Sequence, residues 1–515
     1  MEALPDLEAE SGCRRSILYL AFLNPQGNFD PQDRYWTEHP DFGGQLVYVK
    51  ELALALADQG HYVDILTRRV RDPDWPGFES SRDAYPGYDR VRIVRIPCGG
   101  DRFLPKEKLW PYLGTKWVSG ILSFYRAEGR FPDALTAHYA DGGLSAALIG
   151  QRTGRPFTFT AHSLGAQKMD KLGARSQNLA LLDAQFRFAR RIFAERVSMS
   201  HAAVIVVSTE QERIEQYAHP AYRGAVDVND ATRFTVIPPG VNLRIFGYDV
   251  RRPQEDMVAA RIEAMFRRDL APDRRDLPAI ISASRLDSKK NHLGLVQAFA
   301  SSPPLQTQAN LVFITRGLDD PLRDLSSATN QEHRILEQIV CLVEEYNLWG
   351  KVSAFSLAGQ GELAAAYRYL AQRRSVFALT SHYEPFGLAP LEAMATGLPA
   401  VVTRNGGPAE SLQEGSRTFG VLVDPADPAD IARGLLTLLA SPETWAHYRQ
   451  AGLQRVHDRY TWERTAERYA RLLERILQIG REDIVRPEPI PPYFTHPTPE
   501  TDISLQALEH LYFWR

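Results

Sequence analysis

The chain alternates short apolar runs with stretches of helical period. "SILYLAFLN" (16–24) has the continuous apolar run of a buried strand. "QLVYVKELALALADQG" (45–60) then places Leu46, Val49, Leu52, Ala53 and Leu56 on one helical stripe, closed by Gly60. "YVDILT", "VRIVRIP", "ALTAHY", "FTFTAH" and "AVIVVS" continue as strands, each leading into a loop or helix. This rhythm predicts an α/β fold, a parallel sheet with helices on both faces. It restarts after "FTVIPPGVN" (234–242), with strands predicted at "AIISASR", "NLVFIT", "KVSAFS", "SVFALTS" and "LPAVVT" and helices such as "HLGLVQAFA" between them. Pro238, Pro239 and Gly240 punctuate the chain between the two runs and set a domain boundary near 240. The expectation is two doubly wound, Rossmann-like domains in tandem, spanning 1–240 and 241–464. Ligands of such sheets bind beyond the carboxyl ends of the strands, and two facing sheets make a deep cleft. The segment 481–502 is Pro-rich and reads as an extended surface strap. "ISLQALEHLYFWR" reads as a last helix that must bury Leu508, Leu511 and Tyr512.

Composition narrows the class without naming a function. A chain of 515 residues, 44% hydrophobic, is too long for one ordinary core. Its 60 basic and 63 acidic residues leave a net charge of −3, with no overall pull toward nucleic acid or anionic membrane. No apolar run reaches the roughly 18 residues of a membrane span. The start, "MEALPDLEAESGCRR", is acidic and has no apolar signal region, so export is not expected. Cys13, Cys98 and Cys341 are scattered and in no metal-ligand spacing, which fits a reduced cytoplasm.

Candidate chemistry gathers after the predicted strands. Gly43 and Gly44 open the first helix; glycines there let a ligand approach the backbone, although such a turn is common in any α/β protein. His162 in "FTAHSLGAQK" falls at a strand tip, flanked by Ser163 and Gly165. Lys106, Lys168 and the arginines of "FRFARR" could converge on an anion or could line solvated helix faces. Arg285 and Lys290 in "ASRLDSKKNH" lie before a helix, where two cations can balance a diphosphate leaving group; a basic surface loop is the rival reading. In "EPFGLAPLEAMATGLPAVVTRNGGPAE", Glu384 follows a strand, and Pro390 suggests that Glu392 lies in the first turn of the next helix. Phe386, Gly387 and Leu388 would present backbone N–H groups between two carboxylates suited to vicinal hydroxyls. The helix dipole alone could account for Glu392, but not for Glu384 and the glycine between. Asn405-Gly406-Gly407 is expected as a neighbouring wall.

Together with "LNPQGNFDP", "YWTEHPDFGGQLVYVKE", "GGDRFLPKEKLWPY" and "RYTW", these motifs resemble the retaining GT-B glycosyltransferases of the sucrose synthase type (family 4), over about residues 16–475. The resemblance implies the GT-B fold: two facing Rossmann-like domains, an interdomain cleft that closes on its substrates, and a C-terminal segment, 465–515, that rejoins the first domain. It implies a hexosyltransferase moving glucose from UDP-glucose to fructose 6-phosphate to give sucrose 6-phosphate, in the cytoplasm. By resemblance, Arg285 and Lys290 would neutralise the diphosphate, and Glu384 would hold hydroxyls of the transferred hexose. The backbone of Phe386, Gly387 and Leu388 would lie nearby, and Glu392 would bind the ribose. His162 would bond the donor sugar near its 6-hydroxyl, and Gly44 and Gln45 would approach both ligands. Lys106, Lys168 and Arg191, with Tyr139 and Ser163, would hold the acceptor phosphate. All three basic positions are present, and the long N-terminal extension of sucrose synthases is not, so a phosphorylated acceptor is expected over free fructose. No metal or other cofactor is implied beyond the nucleotide sugar itself, since no Asp-x-Asp stands in a suitable setting. The partners expected are these small molecules and a separate sucrose-phosphate phosphatase, with neither nucleic acid nor membrane. The alternatives are an ADP-glucose or GDP-mannose donor, another small acceptor as in sucrose synthase or mannosylfructose-phosphate synthase, and a non-catalytic sugar-nucleotide sensor. The full leaving-group set of Arg285, Lys290, Glu384, Glu392 and His162 argues against the sensor.

Overall fold

The computed structural model describes residues 16–36, 42–478 and 487–513. The N-terminal stretch with Cys13, residues 37–41, residues 481–486 of the Pro-rich segment, Trp514 and Arg515 lie outside the described residues. The chain divides into two compact units, one of Met1–Val207, Arg213–Ile237 and Ala466–Arg515, the other of Ser208–Glu212 and Pro238–Thr465.

In the first unit, β1 (Tyr19–Leu23), β2 (Tyr62–Arg69), β3 (Arg82–Ala84), β4 (Val91–Pro97), β5 (Ala134–His138), β6 (Phe157–Thr160), β7 (Val204–Val207) and β8 (Phe234–Val236) form one sheet in the order β3-β4-β2-β1-β5-β6-β7-β8. Every pair is parallel except β3–β4, a short polar strand laid antiparallel on the edge. The hydrophobic pattern does not announce β3, because "RDA" has neither an apolar run nor an alternation. Strand order reverses between β1 and β5, the position at which a crevice opens at the carboxyl ends of a doubly wound sheet.

In the second unit, β9 (Ala279–Ala283), β10 (Asn310–Thr315), β11 (Val352–Ser356), β12 (Val376–Leu379), β13 (Ala400–Thr403) and, after a two-stranded ribbon of β14 (Gln413–Glu414) and β15 (Arg417–Thr418), β16 (Val421–Val423) follow. The main sheet runs β11-β10-β9-β12-β13-β16, all parallel, and reverses between β9 and β12. Alternate residues enter opposite cores: Val312, Ile314 and Phe377 pack on one face, Leu311, Phe313 and Val376 on the other. Helices cover both faces, which is why these strands read as continuous apolar runs.

The described part of the Pro-rich segment is more than a surface strap. It makes 3-10 turns at Pro492–Phe494 and Pro499–Thr501, and Tyr493 and Phe494 enter the first unit's core. A Cβ on Gly114 would lie 1.9 Å from the Phe494 carbonyl oxygen, so glycine is what permits this contact. The last helix, Leu505–Phe513, buries Leu508 fully and Leu511 and Tyr512 in part. Among the described residues no helix is long and apolar enough to cross a membrane.

Candidate active site

In the second unit, the loops after β9 and β12 stand at the strand-order reversal, and they carry Arg285, Lys290 and Glu384. Asp287 accepts from the Lys289 N–H at 3.0 Å and starts the turn Ser288–Lys290. Asn291, at φ 55°, caps the helix His292–Ala300 and donates 2.8 Å to the Pro425 carbonyl. This turn directs Lys290 Nζ to 2.6 Å from Glu384 Oε2, while Arg285 remains exposed. Two of the predicted groups are therefore paired with each other. The pair is part-buried, with side-chain exposures of 22% and 14%.

The Glu384 loop is locked to the Asn405 loop. The Glu384 N–H donates to the Asn405 carbonyl at 3.1 Å, and Gly407 N–H donates to the Glu384 carbonyl at 3.0 Å. Gly406 has φ 102°, and a Cβ there would sit 2.0 Å from the Glu384 carbonyl oxygen. Asn405-Gly406-Gly407 is thus the buttress of the Glu384 turn as well as its neighbour.

Gly387, at φ 87°, turns the chain into the helix Leu388–Ala395. That start corrects the expected position of Glu392: Pro390 is the third helical residue, and Glu392 the fifth, in the second turn. The glycine's left-handed conformation begins the helix two residues before the proline, which is tolerated because the first N–H groups of a helix have no intrahelical acceptor. Among the described residues the N–H groups of Phe386, Gly387 and Leu388 find no acceptor in the protein. Burial, with no cation to offset it, pushes the Glu392 carboxyl up to about 7. The fully buried Tyr367 hydroxyl, also without a hydrogen-bond partner, is driven far above its ordinary value by burial and then by Glu392.

In the first unit, the loops after β1, β5 and β6 supply the groups. Gly43 is extended, and Gly44 begins the helix Gly44–Asp58; a Cβ on Gly44 would meet nothing within 4 Å, so a ligand can reach this backbone beside Gln45. His162 follows β6 at φ 56°, and its Nε2 lies 3.0 Å from His138 Nδ1. His138 Nε2 in turn lies 3.1 Å from Thr136 Oγ1. Burial lowers both imidazoles, His162 to about 3, so both are neutral at physiological pH. Sequence reasoning missed His138. Its signal was available: it ends β5 as His162 follows the end of β6, and the two strands are paired neighbours.

Lys106, Tyr139 and Arg191 line one small pocket with Gln26, Trp110, Phe186 and the acidic residues Glu107 and Asp141, and Lys106 Nζ lies 3.6 Å from Glu107 Oε1. Lys168 is not in its wall; its ammonium sits 3.9 Å from the centre of the Phe186 ring, which is. Arg191 Nη2 donates to the Ser163 carbonyl at 2.8 Å and to its hydroxyl at 3.2 Å. Burial disfavours the Arg191 cation, but Glu195 and Tyr139 outweigh it, and the guanidinium is held above its ordinary pKa. A larger cavity of this unit, about 520 Å³, opens at the amino ends of β6 and β7, away from these groups. Among the described residues no cluster of three or more His, Cys, Asp or Glu could hold a metal ion.

One unit presents cations, two carboxylates and, among the described residues, N–H groups without a protein acceptor at a strand-order reversal; the other presents a pocket of mixed charge and, just beyond β6, a neutral histidine. Comparison with known proteins gives the class, a two-domain glycosyltransferase. Residues 267–455 match the family described as glycosyl transferases group 1, and residues 43–240 the glycosyl transferase 4-like domain. A probable sucrose-phosphate synthase of Thermosipho melanesiensis is 42% identical over 471 residues, 91% of this chain and 98% of that protein. The sucrose-phosphate synthase of Spinacia oleracea is 32% identical over 88% of this chain, which spans only 47% of the plant protein. The solved sucrose-phosphate synthase of Thermosynechococcus elongatus superposes with a TM-score of 0.61 at 26% identity, over 89% of this chain and 99% of that one. The chain belongs to the sucrose-phosphate synthase family of glycosyltransferases, and is a hexosyltransferase of the GT-B fold.

Proposed function

We propose that the protein transfers glucose from UDP-glucose to fructose 6-phosphate with retention of configuration, giving UDP and sucrose 6-phosphate. The observation that supports the acceptor reading is that Lys106 and Arg191 line one pocket with Lys168 beside it, three cations against the two acids Glu107 and Asp141, an excess that suits a phosphate monoester better than free fructose. On the donor side, Glu392 accepts from the ribose hydroxyls and Glu384 from hydroxyls of the hexose. The N–H groups of Phe386, Gly387 and Leu388 face donor oxygens. His162 bonds the hexose, and Gly44 and Gln45 approach both substrates.

Donor binding exchanges the Lys290–Glu384 pair for two ligand contacts: the ammonium turns to the diphosphate and the carboxylate to the sugar. The bond from the anomeric carbon to the phosphate oxygen breaks with its electrons going to UDP, and Arg285 and Lys290 stabilise that developing charge. The acceptor hydroxyl attacks on the face the phosphate is leaving, and its proton passes to the departing phosphate oxygen. The two cations take the part that a metal plays in other transferases, so turnover is expected to survive EDTA unchanged. The test is to incubate the protein with UDP-, ADP- and GDP-hexoses against fructose and fructose 6-phosphate and to identify the product and its anomeric configuration by NMR. Absence of transfer to any phosphorylated acceptor contradicts the reading.

A further inference from the structure

Arg191 lines the acceptor pocket and Lys168 stands beside it, the two on different helices, Phe188–His201 and Gly165–Lys171. Two cations on separate elements make a better phosphate site when those elements are held to each other. One group ties the Arg191 side chain to the start of the helix that carries Lys168. Glu195, one turn after Arg191 and wholly buried, accepts from Arg191 Nε at 2.8 Å through Oε1. The same carboxylate accepts the Gly165 N–H at 2.9 and 3.0 Å, at the start of the helix that carries Lys168. Its Oε2 also accepts from the Tyr222 hydroxyl at 2.5 Å, and that hydroxyl accepts the Ala166 N–H at 3.1 Å. Tyr222 is itself fully buried.

The consequences are geometric. With Nε held by Glu195 and Nη2 by Ser163, Arg191 keeps only Nη1 free of protein partners among the described residues. The guanidinium plane is therefore set before any ligand arrives, which reduces the ordering cost of binding. A Cβ on Gly165 would come within 3.1 Å of Glu195 Oε2 and of Ile192 and 3.2 Å of Arg191, so the glycine lets the two helices close on the carboxylate. An acid beside an anion pocket would otherwise weaken anion binding; its place here is explained by what it orients.

We infer that Glu195, held by Tyr222, is the positioning residue of the acceptor-phosphate pocket, setting Arg191, Ser163 and the Lys168 helix in one arrangement. This rests on the reading of the acceptor as a sugar phosphate. The test measures the fructose 6-phosphate KM, kcat, the UDP Kd and the competitive Ki of inorganic phosphate for the wild type, Glu195→Gln and Tyr222→Phe, with Tm as a control for folding. In Glu195→Gln the acceptor KM and the phosphate Ki rise together by about tenfold or more, as the charge-assisted bond that orients Arg191 is weakened. The UDP Kd is unchanged, and kcat at saturating acceptor stays within about twofold. Tyr222→Phe shifts the same two constants in the same direction by about threefold, the effect of one neutral hydrogen bond. Folded variants with wild-type KM and Ki overturn the inference, as does a parallel loss of UDP affinity. If Glu195→Gln does not fold, unchanged constants in Tyr222→Phe overturn it. A wild type that uses free fructose equally well and is indifferent to phosphate overturns the acceptor reading itself, and the positioning role with it.

Discussion

Glu392 offers a prediction in which the sign and the size both come from the structure. In the free protein its carboxyl is pushed from 4.5 up to about 7 by burial alone. The folded chain therefore keeps a proton that the unfolded chain releases near 4.5, and this group's contribution to stability declines as pH rises from 4.5 to about 7, then levels. Ribose hydroxyls donating to the carboxylate favour its charged form, so nucleotide binding expels the proton. With the free value at about 7, the fraction ready to bind is about a tenth at pH 6 and nine-tenths at pH 8. UDP should then bind about tenfold more tightly at pH 8 than at pH 6, a change of about 1.4 kcal/mol. Titration calorimetry in two buffers of different ionisation enthalpy reads both the affinity and the proton count. Glu392→Gln removes this dependence and leaves only the ionisation of UDP, which is common to both proteins. Equal pH dependence in the two proteins, or no proton release from the wild type near pH 6.5, would refute the assignment of Glu392 to the nucleotide.

Lys168→Ala should raise the fructose 6-phosphate KM by about tenfold to a hundredfold, the scale of a hydrogen bond to a charged group, with UDP affinity unchanged; an unchanged acceptor KM removes Lys168 from the phosphate site. His138→Ala frees the His162 ring and empties a buried position beside Phe22 and Tyr48, so kcat should fall by about tenfold to a hundredfold and Tm should drop as well, as steady-state kinetics and a melting curve would report. Gly406→Ala forces a Cβ against the Glu384 carbonyl at a left-handed φ, so Tm and donor affinity should both drop, with about 2 kcal/mol or more lost in denaturant unfolding. Phe494→Ala empties a core position beside Trp110 and should cost the first unit about 3–5 kcal/mol, visible as a lower Tm.

The sheet strands were legible because both faces are buried: "NLVFIT" and "AIISASR" each carry a short apolar run, 311–314 and 279–281, bounded by polar residues. Polar elements were not. "RDA" pairs at an edge by backbone bonds alone, and the ribbon Gln413–Glu414 with Arg417–Thr418 is exposed on both strands. Candidate site residues that follow strands, such as Lys290, Glu384 and His162, could be named from the sequence because topology puts ligands at the carboxyl ends. Glu195 was invisible for the opposite reason, since it sits mid-helix in "RRIFAERV", where a carboxylate ordinarily faces water. Only the fold shows it buried against Gly165 and Tyr222. The Glu392 turn was misplaced because Pro390 is a start signal, whereas Gly387 had already begun the helix.

The central claim is that Lys106 and Arg191 in the pocket wall, with Lys168 beside it, select a phosphorylated acceptor. Its most direct test is the ratio of kcat/KM for fructose 6-phosphate to that for fructose, with UDP-glucose as donor. Three charge-assisted contacts at about 1.5 kcal/mol or more apiece predict a ratio of about a thousand or greater in the wild type. The ratio should fall in Lys106→Ala and Lys168→Ala. A wild-type ratio near unity, unaltered in those variants, would contradict the account.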